Sequence, residues 1–297
     1  MNLKLKLIFF YFFCRMNLWE AKKYFFEQCA IVLDEGEAEE LFSRITEHLT
    51  GLSKLDLLGN QAVDLNDEAL NSIIADLKMH KPIQYILGYE WFGKFKLNVT
   101  ENTLIPLPET EELVLWILET LKEKNNQNSF IIDIGTGSGC IPIYLKSALQ
   151  KSEILAMDIN QKTIDIAIQN AKKYQVEIDF FQDDILNLFH TFSEKFDVIV
   201  SNPPYILETE KTAMSTRVTA YEPHEALFVT NKDPLQFYKS IISFAKNNLK
   251  KDGFLFFETH QDYAEDVLNL CKNNGFQTEL KKDMYENDRM IKAIFSI

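Results

Sequence analysis

The sequence predicts an α/β protein in which a small helical bundle precedes a doubly wound, mostly parallel sheet. Three observations support this prediction. From Pro108 onward, short apolar runs alternate with amphipathic stretches, as in βαβ units. Residues 16–80 instead carry apolar residues at helical spacing. The chain has 297 residues, 46 % of them apolar and 25 % charged, which excludes collagen-like, low-complexity and disordered proteins.

The first fifteen residues imitate a secretory signal. Two lysines precede the apolar run Leu7–Cys14, but that run is far too short to span a bilayer. Arg15 and Met16 stand where a small-residue cleavage site would be needed. We therefore interpret residues 1–15 as an upstream extension, with Met16 as the working start.

Three amphipathic helices are expected in the region that follows, where no strand-like alternation of useful length appears. In the first two helices the apolar faces consist of Leu18, Ala21, Tyr24, Phe25 and Cys29, and of Ala38, Leu41, Phe42, Ile45 and Leu49. The third helix opens at Asn66–Glu68, with Asn66 or Asp67 as its N-cap, and runs through Leu77.

A β-hairpin is predicted between the two domains. Tyr85–Thr100 is rich in aromatic and β-branched residues, and Gly88 and Gly93 are its turn formers. Beyond it, the expected strands and helices of the sheet domain follow one another along the chain. The strands are Phe130–Ile134, Ile154–Met157, Ile178–Phe181, Val198–Val200 and Phe254–Phe257, and helices are expected at Thr163–Tyr174 and Leu235–Leu249.

Three of the ten glycines lie within five residues, between the first of these strands and a helix. Glycine allows positive φ and close approach of a ligand to the backbone, and a helix N-terminus offers free N–H groups. The turn therefore fits a nucleotide-like cofactor, although its G-x-G-x-G spacing differs from the dinucleotide fingerprint. A merely tight turn is the alternative. The candidate cofactor-binding residues here are Asp133, Gly135, Thr136, Gly137, Ser138 and Gly139.

Two further acidic residues follow the next strands. Asp158 ends the second strand, where an acceptor can bind both hydroxyls of a ribose. The alternative is a cap, from Asp158 or Asn160, for the next helix. After the third strand, Asp184 is a candidate acceptor for an adenine edge, with Ile185 as an apolar contact for the ring. A plain loop acid is the alternative for Asp184.

A pair of prolines ends the buried strand Val198–Val200, in the sequence Asn202-Pro203-Pro204-Tyr205. The acceptors left there are the side-chain carbonyl of Asn202 and the backbone carbonyl of Pro203, with the Tyr205 ring alongside. Two acceptors can take both hydrogens of a planar NH₂ group while a ring covers its face. A rigid loop is the alternative, but it explains the prolines only.

Charge and cysteine content restrict the partners. The formal net charge is −13, from 44 acidic against 31 basic residues, so tight binding to duplex DNA is disfavoured. The four cysteines lie far apart without a C-x-x-C pair. Neither a metal site nor a disulfide framework is indicated, and a reducing, cytoplasmic compartment is expected.

Together, Asp133–Gly139, Asp158 and Asn202–Tyr205 resemble the class I S-adenosyl-L-methionine-dependent methyltransferases that act on an amide or exocyclic amine. Three further stretches make the chain similar to the protein-(glutamine-N5) methyltransferases that modify peptide chain release factors. These stretches are Pro82–Gly88, Leu104–Glu112 and Tyr221–Leu227.

The resemblance implies a class I methyltransferase-like sheet of seven strands, with S-adenosyl-L-methionine as cofactor. The implied reaction is methylation of the glutamine in the Gly-Gly-Gln motif of class I release factors, without stable nucleic-acid or membrane partners. Residues 16–80 would form a helical substrate-recognition domain, 81–107 the connecting hairpin and 108–297 the methyltransferase domain. Within Asn202–Tyr205, which would bind the substrate, the catalytic residues are Asn202, Pro203 and Tyr205, and Asn202 would also belong to the cofactor-binding residues.

One position departs from the family pattern. Between Pro106 and Pro108 the family usually has arginine, and here Leu107 stands in its place, which affects local geometry and substrate contacts rather than the cofactor site. Elsewhere, Ile206–Thr230 is long enough to be a lid over the substrate. The two histidines near the predicted site are interpreted as packing or surface residues. These are His224 and His260.

Other functions remain open from the sequence. An amino-methyltransferase of DNA or RNA bases shares both turns, but the 92 residues after Tyr205 leave no room for a large target-recognition domain. A glutamine of a ribosomal protein is an alternative substrate. A nicotinamide dehydrogenase is disfavoured by the glycine spacing, and a non-catalytic cofactor-binding module would bind the cofactor without methyl transfer.

Overall fold

The computed structural model describes residues 15–53, 55–56, 64–126 and 128–295. Apart from Arg15, the predicted upstream extension lies outside the described residues. The chain divides into two compact units, Met1–Gly88 and Tyr89–Ile297. Among the described residues, every helix is too short or too polar to cross a bilayer.

The first unit is a helical bundle with a short two-stranded ladder. Its elements are β1 (Arg15–Asn17), α1 (Leu18–Cys29), α2 (Glu35–Thr50), β2 (Asp64–Asn66), α3 (Asp67–Lys78) and α4 (Ile83–Leu87). The three predicted helices are confirmed, and the N-cap of α3 is Asn66, whose side chain accepts the N–H groups of Glu68 and Ala69 at 2.9 and 3.1 Å. The ladder has no signature in the sequence, because three-residue strands are too short to show an alternating pattern.

The second unit holds the sheet. Its strands are β3 (Tyr89–Phe92), β4 (Phe95–Asn98), β5 (Phe130–Ile134), β6 (Glu153–Asp158), β7 (Asp179–Gln182), β8 (Phe196–Ser201), β9 (Ile206–Leu207), β10 (Phe228–Val229), β11 (Leu249–Glu258), β12 (Phe276–Lys282) and β13 (Asp288–Phe295). Its α-helices are α5 (Pro108–Glu123), α6 (Cys140–Ala148), α7 (Gln161–Lys173), α8 (Thr216–Tyr221), α9 (His224–Leu227), α10 (Gln236–Asn248) and α11 (Ala264–Asn273). The five predicted strands and both predicted helices are confirmed.

The hairpin begins later than its sequence pattern predicts. β3 and β4 pair antiparallel and Gly93 turns between them with φ +55°. The predicted start at Tyr85 was wrong, since that residue lies in α4. Gly88 ends α4 in the left-handed region, at φ +78°, instead of turning the hairpin, which is the usual role of a glycine after a helix.

Seven strands of the described residues form one sheet, in the order β12-β13-β11-β8-β5-β6-β7. β5, β6, β7, β8 and β11 run parallel, and β13 runs antiparallel to both of its neighbours. Side chains of α5 and α6 pack in the core on one face, and those of α10 and α11 pack on the other. The predicted doubly wound sheet of seven strands is confirmed, and its direction of winding changes between β5 and β8.

A buried asparagine joins the hairpin to the sheet domain. The Asn170 side chain accepts the Asn98 N–H at 2.7 Å and donates to the carbonyls of Asn98 and Ser138 at 3.0 and 2.9 Å. Ser138 belongs to the glycine turn, so α7, the hairpin and that turn share one set of hydrogen bonds.

We expect Asn170→Ala to lower the free energy of unfolding by about 3 kcal/mol, because it leaves buried backbone groups without partners. Urea denaturation followed by circular dichroism measures this loss. The control is Asn269→Ala, the same substitution at an exposed position of α11. Equal effects of the two substitutions would contradict the assigned role of Asn170.

Candidate active site

A cavity of about 330 Å³ opens at the carboxyl ends of β5, β6, β7 and β8. Most of the predicted site residues line it, namely Gly135, Thr136, Gly137, Ser138, Asp158, Asp184, Ile185, Asn202, Pro203 and Pro204. Three predicted site residues are not among its lining: Asp133, Gly139 and Tyr205. The two turns noted in the sequence thus meet in one cavity, because β5 and β8 are neighbours.

The glycine turn uses its glycines in two ways. Gly135 and Gly137 have φ values of +78° and +57°, and a Cβ at either position would meet no atom within 4 Å. They therefore leave open space beside the backbone. Gly139, at φ +81°, is the N-cap of α6, and its Cβ would lie 3.1 Å from the Cβ of Ala167. That glycine allows α6 and α7 to pack closely.

Asp158 holds the glycine turn from the adjacent strand. Its Oδ2 accepts the Gly137 N–H at 3.0 Å, and its Oδ1 accepts the Asn160 N–H at 3.1 Å. The N-cap of α7 is Asn160, whose side chain accepts the Lys162 N–H, so Asp158 is not the cap. Burial raises the pKa of Asp158, and these backbone hydrogen bonds oppose that shift.

Asp133 lies beneath the turn, in β5, and is fully buried. Within the described part of the chain neither of its carboxylate oxygens has a hydrogen-bond partner. Burial raises the pKa of Asp133 to about 7; the neighbouring Thr136 hydroxyl opposes this rise, and the nearby Asp158 carboxylate contributes to it. An ionised Asp133 carboxylate therefore destabilises the fold, and below neutral pH the protonated form of Asp133 predominates.

The loop after β7 is organised by two aspartates. Asp184 accepts the Leu186 N–H and the side-chain amide of Asn187, both at 2.9 Å, and it lines the cavity. Asp183, which the sequence reasoning missed, accepts the backbone N–H of His190 at 2.9 Å and contacts its ring. Burial favours the neutral acid, but these hydrogen bonds outweigh it and lower the pKa of Asp183.

Side chains of α5 and β11 hold the Asn202–Tyr205 turn by hydrogen bonds. Asn202 donates its Nδ2 hydrogen to Thr110 Oγ1 at 3.2 Å, and no donor of the described residues reaches its Oδ1. The Tyr205 hydroxyl donates to Glu258 Oε1 at 3.3 Å. Burial, and then the Glu258 carboxylate, raise the pKa of Tyr205 well above its ordinary value. The turn therefore offers an acceptor at Asn202, while its tyrosine faces the protein interior.

Sequence reasoning missed two residues behind this turn. Thr110 lies in the first turn of α5, within the stretch Leu104–Glu112 that carries the family resemblance, but nothing singled it out. Glu258 ends β11 directly after the predicted strand Phe254–Phe257. A carboxylate in that position, like Asp158 at the end of β6, was a signal that could have identified it.

The segment Ile206–Thr230 is built of short elements rather than an open loop. It contains β9, a 3₁₀ helix at Glu208–Ala213, α8, α9 and β10. Pro223, Glu225, Ala226 and Phe228 line the cavity, as does Leu107, which is 40 % exposed. Glu222 accepts the Ile105 N–H at 3.4 Å, and burial raises the pKa of Glu222 to about 7.

The two histidines lie outside the cavity lining. His224 is exposed and lies 2.9 Å from the Thr219 carbonyl oxygen. His260 caps the 3₁₀ helix Gln261–Tyr263 by accepting the Asp262 N–H. Within the described ranges, no group of three His, Cys, Asp or Glu residues could hold a metal ion.

A sheet of this order with its ligand cavity at the switch point is that of a class I methyltransferase. The methyltransferase small domain family matches residues 114–222. A release factor glutamine methyltransferase of Flavobacterium psychrophilum is 42 % identical over 276 residues, covering 91 % of this chain and 96 % of that protein. The chain therefore belongs to the release factor glutamine methyltransferase family, which confirms the resemblance noted in its sequence.

Two further similarities concern the family and the fold, respectively. A release factor glutamine methyltransferase of Bacteroides thetaiotaomicron is 36 % identical over 262 residues, covering 83 % of this chain and 93 % of that protein. A crystal structure of a methyltransferase from Pyrococcus furiosus matches with a TM-score of 0.51, covering 75 % of this chain and 98 % of that chain. At 13 % identity, the second likeness shows the fold alone.

Asp133 should make stability depend on pH. Because its folded-state pKa lies above its ordinary value of 3.8, at about 7, ionisation destabilises the fold, and stability falls as pH rises between these two values. We expect Asp133→Asn to gain stability relative to the natural chain by about 1 kcal/mol per pH unit over this window.

Urea denaturation at pH 5 and pH 8, without added ligand, measures the difference between the two proteins. Asp179→Asn, at an exposed aspartate in β7 of the same sheet, is the control. A difference that is the same at both pH values would exclude a raised folded-state pKa at Asp133.

Proposed function

We propose that this protein transfers a methyl group from S-adenosyl-L-methionine to the side-chain amide nitrogen, N5, of the glutamine in the Gly-Gly-Gln motif of class I peptide chain release factors. The observation that carries this proposal is the meeting of the glycine turn and the Asn202–Tyr205 turn in one cavity. Membership of the release factor glutamine methyltransferase family supports the substrate. Such a substrate implies action in the cytoplasm.

The residues around the glycine turn fit the cofactor. The open space beside Gly135 and Gly137 admits a ligand against the backbone. Asp158 and Asp184 line the cavity, and each carboxylate keeps lone pairs beyond its protein hydrogen bonds, which suits hydroxyl and amine donors. Ile185 supplies an apolar contact for a ring. When bound, S-adenosyl-L-methionine supplies an electrophilic methyl group on a positively charged sulfur.

Asp133 and Gly139 act on the cofactor through the turn rather than by contact. Gly139 allows α6 to begin directly after the turn and to pack on α7. Asp133 places a buried acidic group beneath the turn, where partial ionisation favours a cationic ligand.

The Asn202–Tyr205 turn binds and orients the substrate amide. An amide nitrogen is a poor nucleophile because its lone pair is delocalised into the carbonyl. Asn202 Oδ1 and the Pro203 carbonyl accept its two hydrogens, which holds the nitrogen in place and favours the geometry in which its lone pair faces the methyl group. Tyr205 stabilises the turn through Glu258 instead of covering the amide, since it does not line the cavity.

Methyl transfer to the amide does not require a strong base. In the transfer a nitrogen–carbon bond would form as the carbon–sulfur bond breaks, the sulfur would keep that electron pair and leave as a neutral thioether, and the alkylated nitrogen would be cationic. That nitrogen is strongly acidic and loses one proton to water, leaving the N5-methyl amide. A histidine in the turn is therefore not required.

Methyl transfer to a purified class I release factor tests the function directly. We expect one methyl group on the glutamine of its Gly-Gly-Gln peptide, located by mass spectrometry. Duplex DNA, ribosomal RNA and ribosomal proteins are offered in parallel. Transfer to one of these instead would establish the corresponding alternative, and cofactor binding without transfer to any of them would indicate a binding module.

Asn202→Ala removes one of the two proposed acceptors. We expect kcat for release factor methylation to fall about 100-fold or more, the size of effect seen when one transition-state hydrogen bond is lost. Cofactor affinity should change little. Asn247→Ala, at an exposed position of α10, is the matched control. Near-natural turnover by Asn202→Ala would refute the role of Asn202.

Asp158→Ala tests the cofactor site separately. The substitution removes the carboxylate that is proposed to accept hydrogen bonds from the cofactor, and a hydrogen bond to a charged group contributes about 1.5 to 3 kcal/mol. We therefore expect S-adenosyl-L-methionine to bind about 10- to 100-fold more weakly. Isothermal titration calorimetry measures the dissociation constant, with Asp179→Ala as the control. An unchanged constant would show that Asp158 does not bind the cofactor.

A further inference from the structure

A chain of hydrogen bonds runs from Asn202 into the protein interior. Asn202 Nδ2 donates to Thr110 Oγ1 at 3.2 Å, and Thr110 Oγ1 donates to Glu258 Oε2 at 2.6 Å. The Tyr205 hydroxyl donates to the other carboxylate oxygen of Glu258 at 3.3 Å. Thr110 is 3 % exposed and Glu258 is 0 % exposed, so water does not compete for the bond between them.

The ionised carboxylate of Glu258 determines which atom donates and which accepts in each of these hydrogen bonds. An ionised carboxylate can only accept hydrogen bonds, and a threonine hydroxyl has a single proton to donate. Glu258 therefore accepts the one hydrogen bond that the Thr110 hydroxyl can donate, and the Thr110 oxygen can only accept from Asn202. The NH₂ end of the Asn202 amide must then face Thr110, which leaves Oδ1 as the end available to a ligand.

We propose that Thr110 and Glu258 are positioning residues that fix the orientation of the Asn202 amide, so that Oδ1 accepts a hydrogen from the substrate amide. This inference rests on the proposed function. If the Asn202 amide were reversed, its NH₂ group would meet the NH₂ group of the substrate, and two donors would face each other. The same carboxylate anchors Tyr205, so it holds both ends of the turn.

Several charged and titratable groups surround Glu258. Arg289 of β13 lowers its pKa and Glu109 of α5 raises it, and the Cys140 thiol of α6 interacts electrostatically with it. Arg289 also binds Asp283 at 3.1 Å. The Tyr238 hydroxyl of α10 donates to the Glu258 backbone carbonyl at 3.1 Å. Burial outweighs the Thr110 hydrogen bond and Arg289, and it raises the pKa of Glu258 to about 7.

Once protonated, Glu258 would no longer fix the direction of the Thr110 and Asn202 hydrogen bonds. A protonated carboxyl can donate to Thr110, whose own proton is then free to point at Asn202 and to favour the reversed amide. Activity should therefore be lost as pH falls through about 7 and be fully present above it.

Thr110→Val and Thr110→Ser form the central test. Valine keeps the shape but removes the hydroxyl, and we expect kcat to fall about 10- to 100-fold through misplacement of Asn202, with the dissociation constant of S-adenosyl-L-methionine unchanged. Serine keeps the hydroxyl and should retain most of the activity. Thr120→Val, at a position of α5 that is 4 % exposed and outside the cavity lining, is the control for the substitution itself.

The outcomes separate this inference from the proposed function. If the natural chain does not methylate release factor, the function fails. If the natural chain is active, Asn202→Ala is impaired and Thr110→Val is not, the positioning role alone is refuted. Equal losses in Thr110→Val and Thr110→Ser would refute it as well, because a purely structural defect does not depend on the hydroxyl.

The pH profile tests Glu258. We expect kcat of the natural chain to rise with pH through about 7, and we expect Glu258→Gln to be slower and to lose this dependence, since glutamine does not titrate. Thr120→Val should keep the natural profile. A profile that is unchanged in Glu258→Gln, measured on protein whose circular dichroism spectrum matches the natural one, would overturn the assignment of Glu258.

Discussion

The parallel pairing of β5 with β8 is the constraint on which the site depends. Ile131 lies opposite Val198 and Ile134 opposite Ser201, and the Ser201 hydroxyl donates to the Ile134 carbonyl at 2.7 Å. The chain winds away from these two strands in opposite directions, so their carboxyl ends border an open crevice. The turns that follow them thereby line the same cavity, although 67 residues separate the strands.

Two buried carboxyl groups near this edge have the same burial but different surroundings. Asp133 and Glu258 are both 0 % exposed, and burial raises the pKa of each to about 7. Glu258 accepts two hydroxyl donors, whereas Asp133 has no partner among the described residues. A buried charge without donors opposes folding. Glu258 can thus direct the hydrogen bonds of its neighbours, whereas a positive charge near Asp133 would stabilise its ionised form.

The sequence predicted features that are local and strongly patterned. β5 and β8 were predictable because each apolar run ends in residues with special backbone requirements, glycine in one case and Asn202-Pro203 in the other. The Thr110–Glu258 bond was not, because 148 residues separate its partners and only the packing of α5 beside β11 brings them together. The start of the hairpin was misplaced since Gly88 can end a helix as well as form a turn.

The departure from the family at Leu107 affects the cavity and not the orientation of Asn202. Leu107 precedes α5, makes no side-chain cap and lines the cavity at 40 % exposure, so loss of the usual arginine alters the wall of the cavity in which we propose that the substrate binds. Asn202 is oriented through Thr110, in the first turn of the helix, and Thr110 is held by Glu258 of the sheet. Neither bond involves position 107. The Asn202–Tyr205 turn can therefore remain intact while the cavity wall changes.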